Sequence, residues 1–364
     1  MAYLWISIAN DGDFVQASGL LEPEFIPQIA EYGFPRLIPL ANNRTLRESV
    51  EICPWGWSPE ISPLTKRGLN LNNPAFDVVR EVNSRRFANH YERETNTFLA
   101  DSTTISSLEE FQKFLKRRRN QNSPWILKTE FSMSARDRLM GRENQVSLPM
   151  QNWIRKRLQR DGLLFYEPWV ERISEVGLQF EIPQSGDPVL MGVPTLFTDP
   201  FGRYRGSGFQ YDESIVRNRW QEAISVAHRV CVAMQSRGYF GPVGFDAVRY
   251  RDSQGTERIR PLQDINARWT MGRLCLGFRR ILQPGETGIW WHTRWPTEST
   301  NSPQKAYEQF QANLPEEIRA VRTSPFTVNH QPVGYGTILL IGKPGFPLTD
   351  WFARNLSGSR ENSG

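Results

Sequence analysis

The stretch that most constrains this chain is residues 238–273. Gly238, Gly241 and Gly244 are spaced three apart and lead to Asp246, and further on Asp264, Asn266 and Arg268 occur at every second position. Two strands are predicted, over 243–250 and 258–265. The polar turn between them, 251–256, contains Gly255 and has the composition of a hairpin connection. Side chains alternate along a strand, so Leu262, Asp264 and Asn266 share one face, and Asp246 joins them from the neighbouring strand. Two carboxylates and an amide oxygen converging there form a hard, oxygen-only cation site. Mg²⁺ takes such a site, using few protein ligands and completing its shell with water and phosphate. The metal candidates are therefore Asp246, Asp264 and Asn266. Arg268 follows the same alternation, and a fixed cation at that point suits a transition state that develops negative charge. The competing reading makes Asp264 and Asn266 ordinary polar residues at a strand end.

The pattern Gly-Tyr-x-Gly-x-x-Gly-x-Asp from Gly238 to Asp246, followed by carboxylate-x-Asn-x-Arg from Asp264 to Arg268, resembles the metal-binding end of the ATP-grasp ligases. That family usually carries Glu where Asp264 stands. The resemblance implies an α/β (α+β grasp) fold: an N-terminal α/β pre-ATP-grasp domain, then a two-lobed ATP-grasp fold with antiparallel sheets around the nucleotide cleft. On this chain it divides into 1–90 for the N-terminal domain and 91–280 for the grasp, with a lid at about 123–195 and a metal-bearing base at about 196–280. Residues 281–356 complete the base and the substrate pocket. The polar, Gly- and Ser-rich segment 357–364 is expected to be disordered. ATP and Mg²⁺ are the implied cofactors.

Other parts of the family pattern occur upstream and in order. Lys128 interrupts an apolar strand predicted over 125–131, where an ammonium is costly to bury without an anion. The resemblance makes it the phosphate-binding lysine. The small-residue loop that follows, 132–138, offers Ser132, Ser134 and Arg136 (or Arg138) to phosphate, although Ala135 stands where Gly is common. A plain surface turn is the alternative. Glu167, Trp169 and Val170 match the hinge whose backbone reads the adenine edge. Glu175, with Glu171 second, is the candidate for the ribose hydroxyls, against an ordinary solvent-facing strand residue. A further phosphate cation falls to Arg85 or Arg86.

The remaining chain reads more plainly. A buried strand over 3–8, a helix over 24–32 and a strand over 35–40 precede an irregular stretch, 53–73, rich in Pro, Gly, Trp and Asn. A capping box at Ser107–Glu110 opens one helix. Residues 148–159 form another, and the apolar spacing from Glu213 to Met234 a third. With three cysteines far apart and four histidines lacking metal-ligand spacing, neither a disulfide framework nor a zinc site is indicated. No apolar run is long enough to span a bilayer, the first residues lack the form of a signal peptide, and a cytoplasmic location is expected.

The expected activity, implied by the resemblance, is ATP-dependent activation of a carboxylate as an acylphosphate and its joining to an amine (or thiol), with release of ADP and phosphate. Lys128 and Arg268 would be catalytic. The ending around Arg268 suggests an amino acid such as glutamate as substrate, in cofactor biosynthesis. The partners are then small-molecule carboxylates and amines, with no membrane and room for a homodimer. A non-catalytic ATP-binding protein is the alternative. A nucleic-acid-binding protein is a third reading, motivated by a net charge of +5 and the basic run 116–119. That run lies at a predicted helix end, where cations complement the dipole and are ordinarily solvated.

Overall fold

The computed structural model of this protein describes residues 2–16, 19–40, 52–59, 72–118, 123–131, 137–142, 144–295 and 302–356. Near the N-terminus, short strands β1 (Phe14–Gln16) and β2 (Ile38–Leu40) pair in parallel. A small antiparallel sheet comprises β3 (Thr103–Ile105), β4 (Trp125–Lys128), β5 (Arg138–Gly141) and β6 (Leu164–Pro168), ordered β3-β6-β4-β5. Helices Leu108–Arg117 and Leu148–Asp161 cover one of its faces, burying Phe111, Leu115 and Ile154 against Trp125, Leu127 and Tyr166. The first helix is capped as its sequence requires: Ser107 accepts from the Glu110 N–H. The second ends at Gly162, whose φ of 77° is the left-handed conformation that glycine adopts without strain.

The large sheet has nine strands and is antiparallel throughout its pairings. It contains β7 (Glu171–Ile182), β8 (Val189–Gly192), β9 (Thr195–Thr198), β10 (Tyr204–Gln210), β11 (Gly241–Arg251), β12 (Glu257–Asn266), β13 (Thr287–Arg294) and β14 (Ile318–Arg322). A separate hairpin, β15 (Thr327–Val328) with β16 (Gln331–Pro332), precedes the last member, β17 (Tyr335–Gly342). The order is β12-β11-β7-β9-β10-β13-β17-β14, with β8 attached to β7. Helix Gln221–Ser236 buries Ala223, Ala227, Val230, Cys231 and Met234 on the β7–β11–β12 end. The helix expected from Glu213 is broken at Trp220 (φ −110°), which separates Ser214–Arg219 from Gln221–Ser236.

Three expectations are corrected. Residues 3–8 do not form a strand; Ala2–Ser7 is a 3₁₀ helix. Its backbone groups are satisfied locally, as by the Ile8 N–H on the Trp5 carbonyl. The segment 123–195, expected to form one lobe, is divided: β4, β5 and β6 belong to the small sheet, and β7 and β8 to the large one. All of β7 except Ile173 pairs along β11, from Ile182–Gly241 to Glu171–Arg251, which commits it to the large sheet. The N-terminal segment does not build a core of its own. Leu4, Ile6, Phe25, Ile29 and Phe34 pack with Phe278, Trp290, Leu339 and Ile341 from the other end of the chain. Helices Phe76–Val82 and Arg85–Glu94 belong to the core beneath β11 and β12, through Val79, Val82 and Phe87. The tail at 357–364 lies outside the described residues. Among those residues no helix is long and apolar enough to cross a membrane.

Candidate active site

Between the two sheets lies a cleft of about 930 Å³. One end of it is built by the β11–β12 hairpin. Asp246 stands directly opposite Asp264, and Gly244 opposite Asn266, so the three polar side chains share a face. On β7 the same face carries Glu175, Gly177 and Gln179, paired with Val248, Asp246 and Gly244. The two glycines are needed there. A Cβ at Gly244 or Gly177 would fall 3.0 or 2.6 Å from the Gln179 amide, which accepts a 2.6 Å hydrogen bond from Thr270. Leu262 does not join this face. Between the pairs Asp246–Asp264 and Val248–Arg260 the register slips, and the irregularity turns Leu262 into the core with Phe245 and Ile265.

The electrostatics of the face are those of crowded carboxylates. Burial, then the charges of Asp264 and Glu175, push Asp246 up to about 7. Burial pushes Asp264 up as well, but Arg85 and Lys128 outweigh it and hold this carboxyl below its usual range. Arg85 is ion-paired with Asp264. Arg268 donates to the Asn266 Oδ1 at 2.8 Å and to the Trp269 carbonyl at 2.9 Å. Among the described residues no group of three or more His, Cys, Asp or Glu side chains forms a closed metal cage. Two facing carboxylates and an amide, with one carboxylate driven up by burial and then by its neighbours, fit a cation that keeps open positions for water or phosphate.

Lys128 also lines the cleft. Its Nζ lies 2.7 Å from Glu167, and burial pushes the ammonium down against the pull of that carboxylate. Glu167 is not itself a wall of the cleft. It accepts two bonds from Arg260, at 2.9 and 3.0 Å, and Arg260 also pairs with Glu92. The result is a buried chain of charges, Lys128–Glu167–Arg260–Glu92. It joins the small sheet (β4, β6), the large sheet (β12) and helix Arg85–Glu94 at the point where the sheets meet.

Of the other expected site residues, Trp169 and Glu175 line the cleft. The Trp169 N–H is bonded to the Pro124 carbonyl, and the Trp169 ring stacks under Arg172 at 4.3 Å. Glu175 accepts from Arg172 at 2.9 Å and Thr198 at 3.0 Å. Val170 is turned away, packed with Leu99, Val248 and Tyr250. Arg85 reaches the cleft, whereas Arg86 pairs with Glu130 at 3.1 Å. Ser132, Ser134 and Arg136 lie outside the described residues. Sequence reasoning missed Gln179 on the carboxylate-bearing face, Arg260 with Glu92 as supports, and His292 and Thr337 on the opposite wall. Arg260, a charged residue within the apolar run Ile259 to Leu262, carried the same signal that singled out Lys128.

A small sheet facing the carboxylate-bearing face of a larger antiparallel sheet, with the nucleotide-sized cleft between them, is the ATP-grasp architecture. Solved structures agree. N5-carboxyaminoimidazole synthase from Aspergillus clavatus, in complex with ADP, superposes with a TM-score of 0.53 at 11% identity, covering 95% of this chain and 97% of that one. The ATP complex of carboxyaminoimidazole ribonucleotide synthase from the same organism gives 0.52 at 12% identity, over 95% and 99%. Pyruvate carboxylase from Rhizobium etli gives 0.52 at 12% identity, over 82% of this chain and 29% of that one. The chain has the ATP-grasp fold. No family model matches it, and no curated protein matches it in sequence.

Proposed function

We propose that this protein is an ATP-dependent, ADP-forming ligase that activates a substrate carboxylate and joins it to an amine. The observation that carries this reading is the facing pair Asp246 and Asp264, set in one cleft with Lys128 and Arg268. ATP and Mg²⁺ are the cofactors the fold implies. Asp246, Asp264 and Asn266 would hold the cation, which when bound offsets the charge of the terminal phosphates. Lys128 orients the terminal phosphoryl group, held ready by Glu167. Arg85 stands beside it, and an incoming phosphate competes with Asp264 for its guanidinium. Arg268 binds the substrate carboxylate through the donors not engaged by Asn266 and Trp269. A carboxylate oxygen attacks the terminal phosphorus and ADP leaves. The amine nitrogen then attacks the acyl carbon, phosphate departs, and the amine gives up a proton. Arg268 steadies the oxyanion in that second step. Closure of the small sheet over the large one excludes the water that would hydrolyse the acylphosphate.

The Glu175 carboxylate and the Trp169–Val170 backbone are the groups we assign to the nucleoside. A second reading, a cleft that binds nucleotide without turning it over, draws on one observation: protein cations already engage Asp264 and Asn266. The two readings part in one assay. ADP release from Mg-ATP is measured over pooled carboxylates with pooled amines, with Asp264→Asn as the control. Release that needs both pools and is lost in the variant supports the ligase. Nucleotide binding without release under every pool supports the second reading.

A further inference from the structure

The wall of the cleft away from the metal face carries a second set of donors that the chemistry above does not use. Arg205 on β10 has a buried Nε with no hydrogen-bond partner, and among the described residues no carboxylate pairs with it. His292 on β13 has a buried, unpartnered Nε2. Both line the cleft, as does Thr337 on β17. His292 is paired with Thr337, so the two share a face. The last β10–β13 pair is Gly206–Trp291, and Arg205 is the next residue along β10, at the irregularity between Tyr204 and Gly206 in its pairing with β9. With all three lining the cleft, they form a row across three adjacent strands.

The hydrogen bonding of Thr337 has a direction. Indole N–H only donates. Trp290 donates to the Thr323 hydroxyl at 2.9 Å, and Thr323 donates to the Thr337 Oγ1 at 2.7 Å. The Thr337 hydroxyl therefore accepts from below and keeps its own proton for the cleft. Tyr204 and Trp290 stand nearly perpendicular to the His292 imidazole, with centroids at 5.0 and 4.7 Å, and fix its plane. The row thus presents one full cation and neutral donors. Such a set matches a group that accepts only, carries a single negative charge and offers two oxygens to a guanidinium. Along the sheet, β10 is three strands from β11, a path of about 14 Å at the usual strand spacing. That separates the row from the phosphate end of the cleft.

We infer that Arg205, His292 and Thr337 form a carboxylate-binding subsite, and that the amine substrate carries a carboxylate which this row holds. The assignment to the amine substrate rests on the ligase reading; the carboxylate subsite itself does not. The test is calorimetric titration of the full chain, saturated with Mg²⁺ and a non-hydrolysable ATP analogue, using glutarate, its neutral diamide and inorganic phosphate as probes. Glutarate is expected to bind at least ten times more tightly than either of the others. Arg205→Gln and Thr337→Val are each expected to weaken it at least ten-fold while leaving the nucleotide affinity within two-fold. Thr337→Val keeps the shape of the side chain, so it serves if Arg205→Gln unfolds, as read by its thermal transition. Glutarate binding that survives both variants overturns the subsite, as does preference for phosphate. Loss of nucleotide affinity together with glutarate assigns the row to the nucleotide instead and also overturns it. Should no pool release ADP while glutarate binding still depends on Arg205, the ligase reading falls and the subsite stands.

Discussion

Asp246 and Asp264 face each other as direct partners across a hairpin, and their neighbours treat them differently. Arg85 and Lys128 hold Asp264 ionised, while burial and two nearby carboxylates keep Asp246 near 7. Replacing Asp264 by Asn is expected to lower ADP release at least ~100-fold, by analogy with the losses caused by disturbing the residues around metal ligands. Nucleotide binding by the same variant, followed by fluorescence, should change much less. His292 gives a pH signature. Burial pushes its imidazole down to about 3 from an ordinary 6.5. Between those values the unfolded chain binds a proton that the folded chain refuses. Its contribution is therefore fully present above about 6.5 and is lost as pH falls towards 3. Urea midpoints measured from pH 7 to pH 4 should fall less in His292→Gln than in the parent. At this scale the site was partly legible in the sequence. Lys128, Asp264, Asn266 and Arg268 stood out because a charge or amide placed in an apolar strand needs a partner or a ligand, and alternation sets the last three on one face. Leu262 was misplaced because a bulge breaks the alternation and leaves no mark in composition. Arg205, His292 and Thr337 were not linked, because they come from three strands whose adjacency is decided by the order of the sheet.

At the scale of elements, the buried chain Lys128–Glu167–Arg260–Glu92 fixes how the small sheet meets the large one. Each member has its charge compensated by a neighbour, so removing one leaves another uncompensated out of water. Glu167→Gln or Arg260→Met should cost about 3–5 kcal/mol, the range for breaking a buried ion pair from one side. Chemical denaturation of each variant checks this. In the double variant Glu92→Leu with Arg260→Met the loss should be smaller than the sum of the single losses, because two complementary charges leave together. Helix ends were readable in advance, through the Ser107 cap and Gly162. The sheet that residues 171–182 join was not. From Val176 to Ile182 apolar and other residues alternate in the sequence as in a half-covered strand, although Glu175 to Phe180 are all buried, and only the pairing with β11 shows which sheet β7 joins.

At the scale of the whole molecule, β17 is the strand on which distant parts meet. Ile338, Leu339, Leu340 and Ile341 are all buried, at 0–1% exposure. Leu339 and Ile341 pack with the N-terminal segment, and Ile338 and Leu340 with Tyr307, Leu348 and Phe352 on the other side. Leu339→Ala should cost about 2–5 kcal/mol, measured by denaturant titration. A chain lacking residues 2–40 should lose its cooperative thermal transition, because that face of β17 would be bare. The overall class was legible, since Lys128 and the pattern from Gly238 to Arg268 occur in the order that the ATP-grasp resemblance implies. The shared core was not, because Leu4, Ile6, Phe25 and Phe34 carry no signal naming partners some three hundred residues away. That distance sets a timetable for synthesis. The small sheet and its helices are contiguous and can fold as soon as they clear the ribosome. The apolar side chains from Leu4 to Phe34 wait for β17. At about 5–20 residues per second, roughly 300 residues of waiting amount to on the order of 15–60 s. During that interval the nascent chain displays a greasy, unpartnered early segment, and a cell making it in quantity would be expected to keep that segment in the hands of a ribosome-associated chaperone.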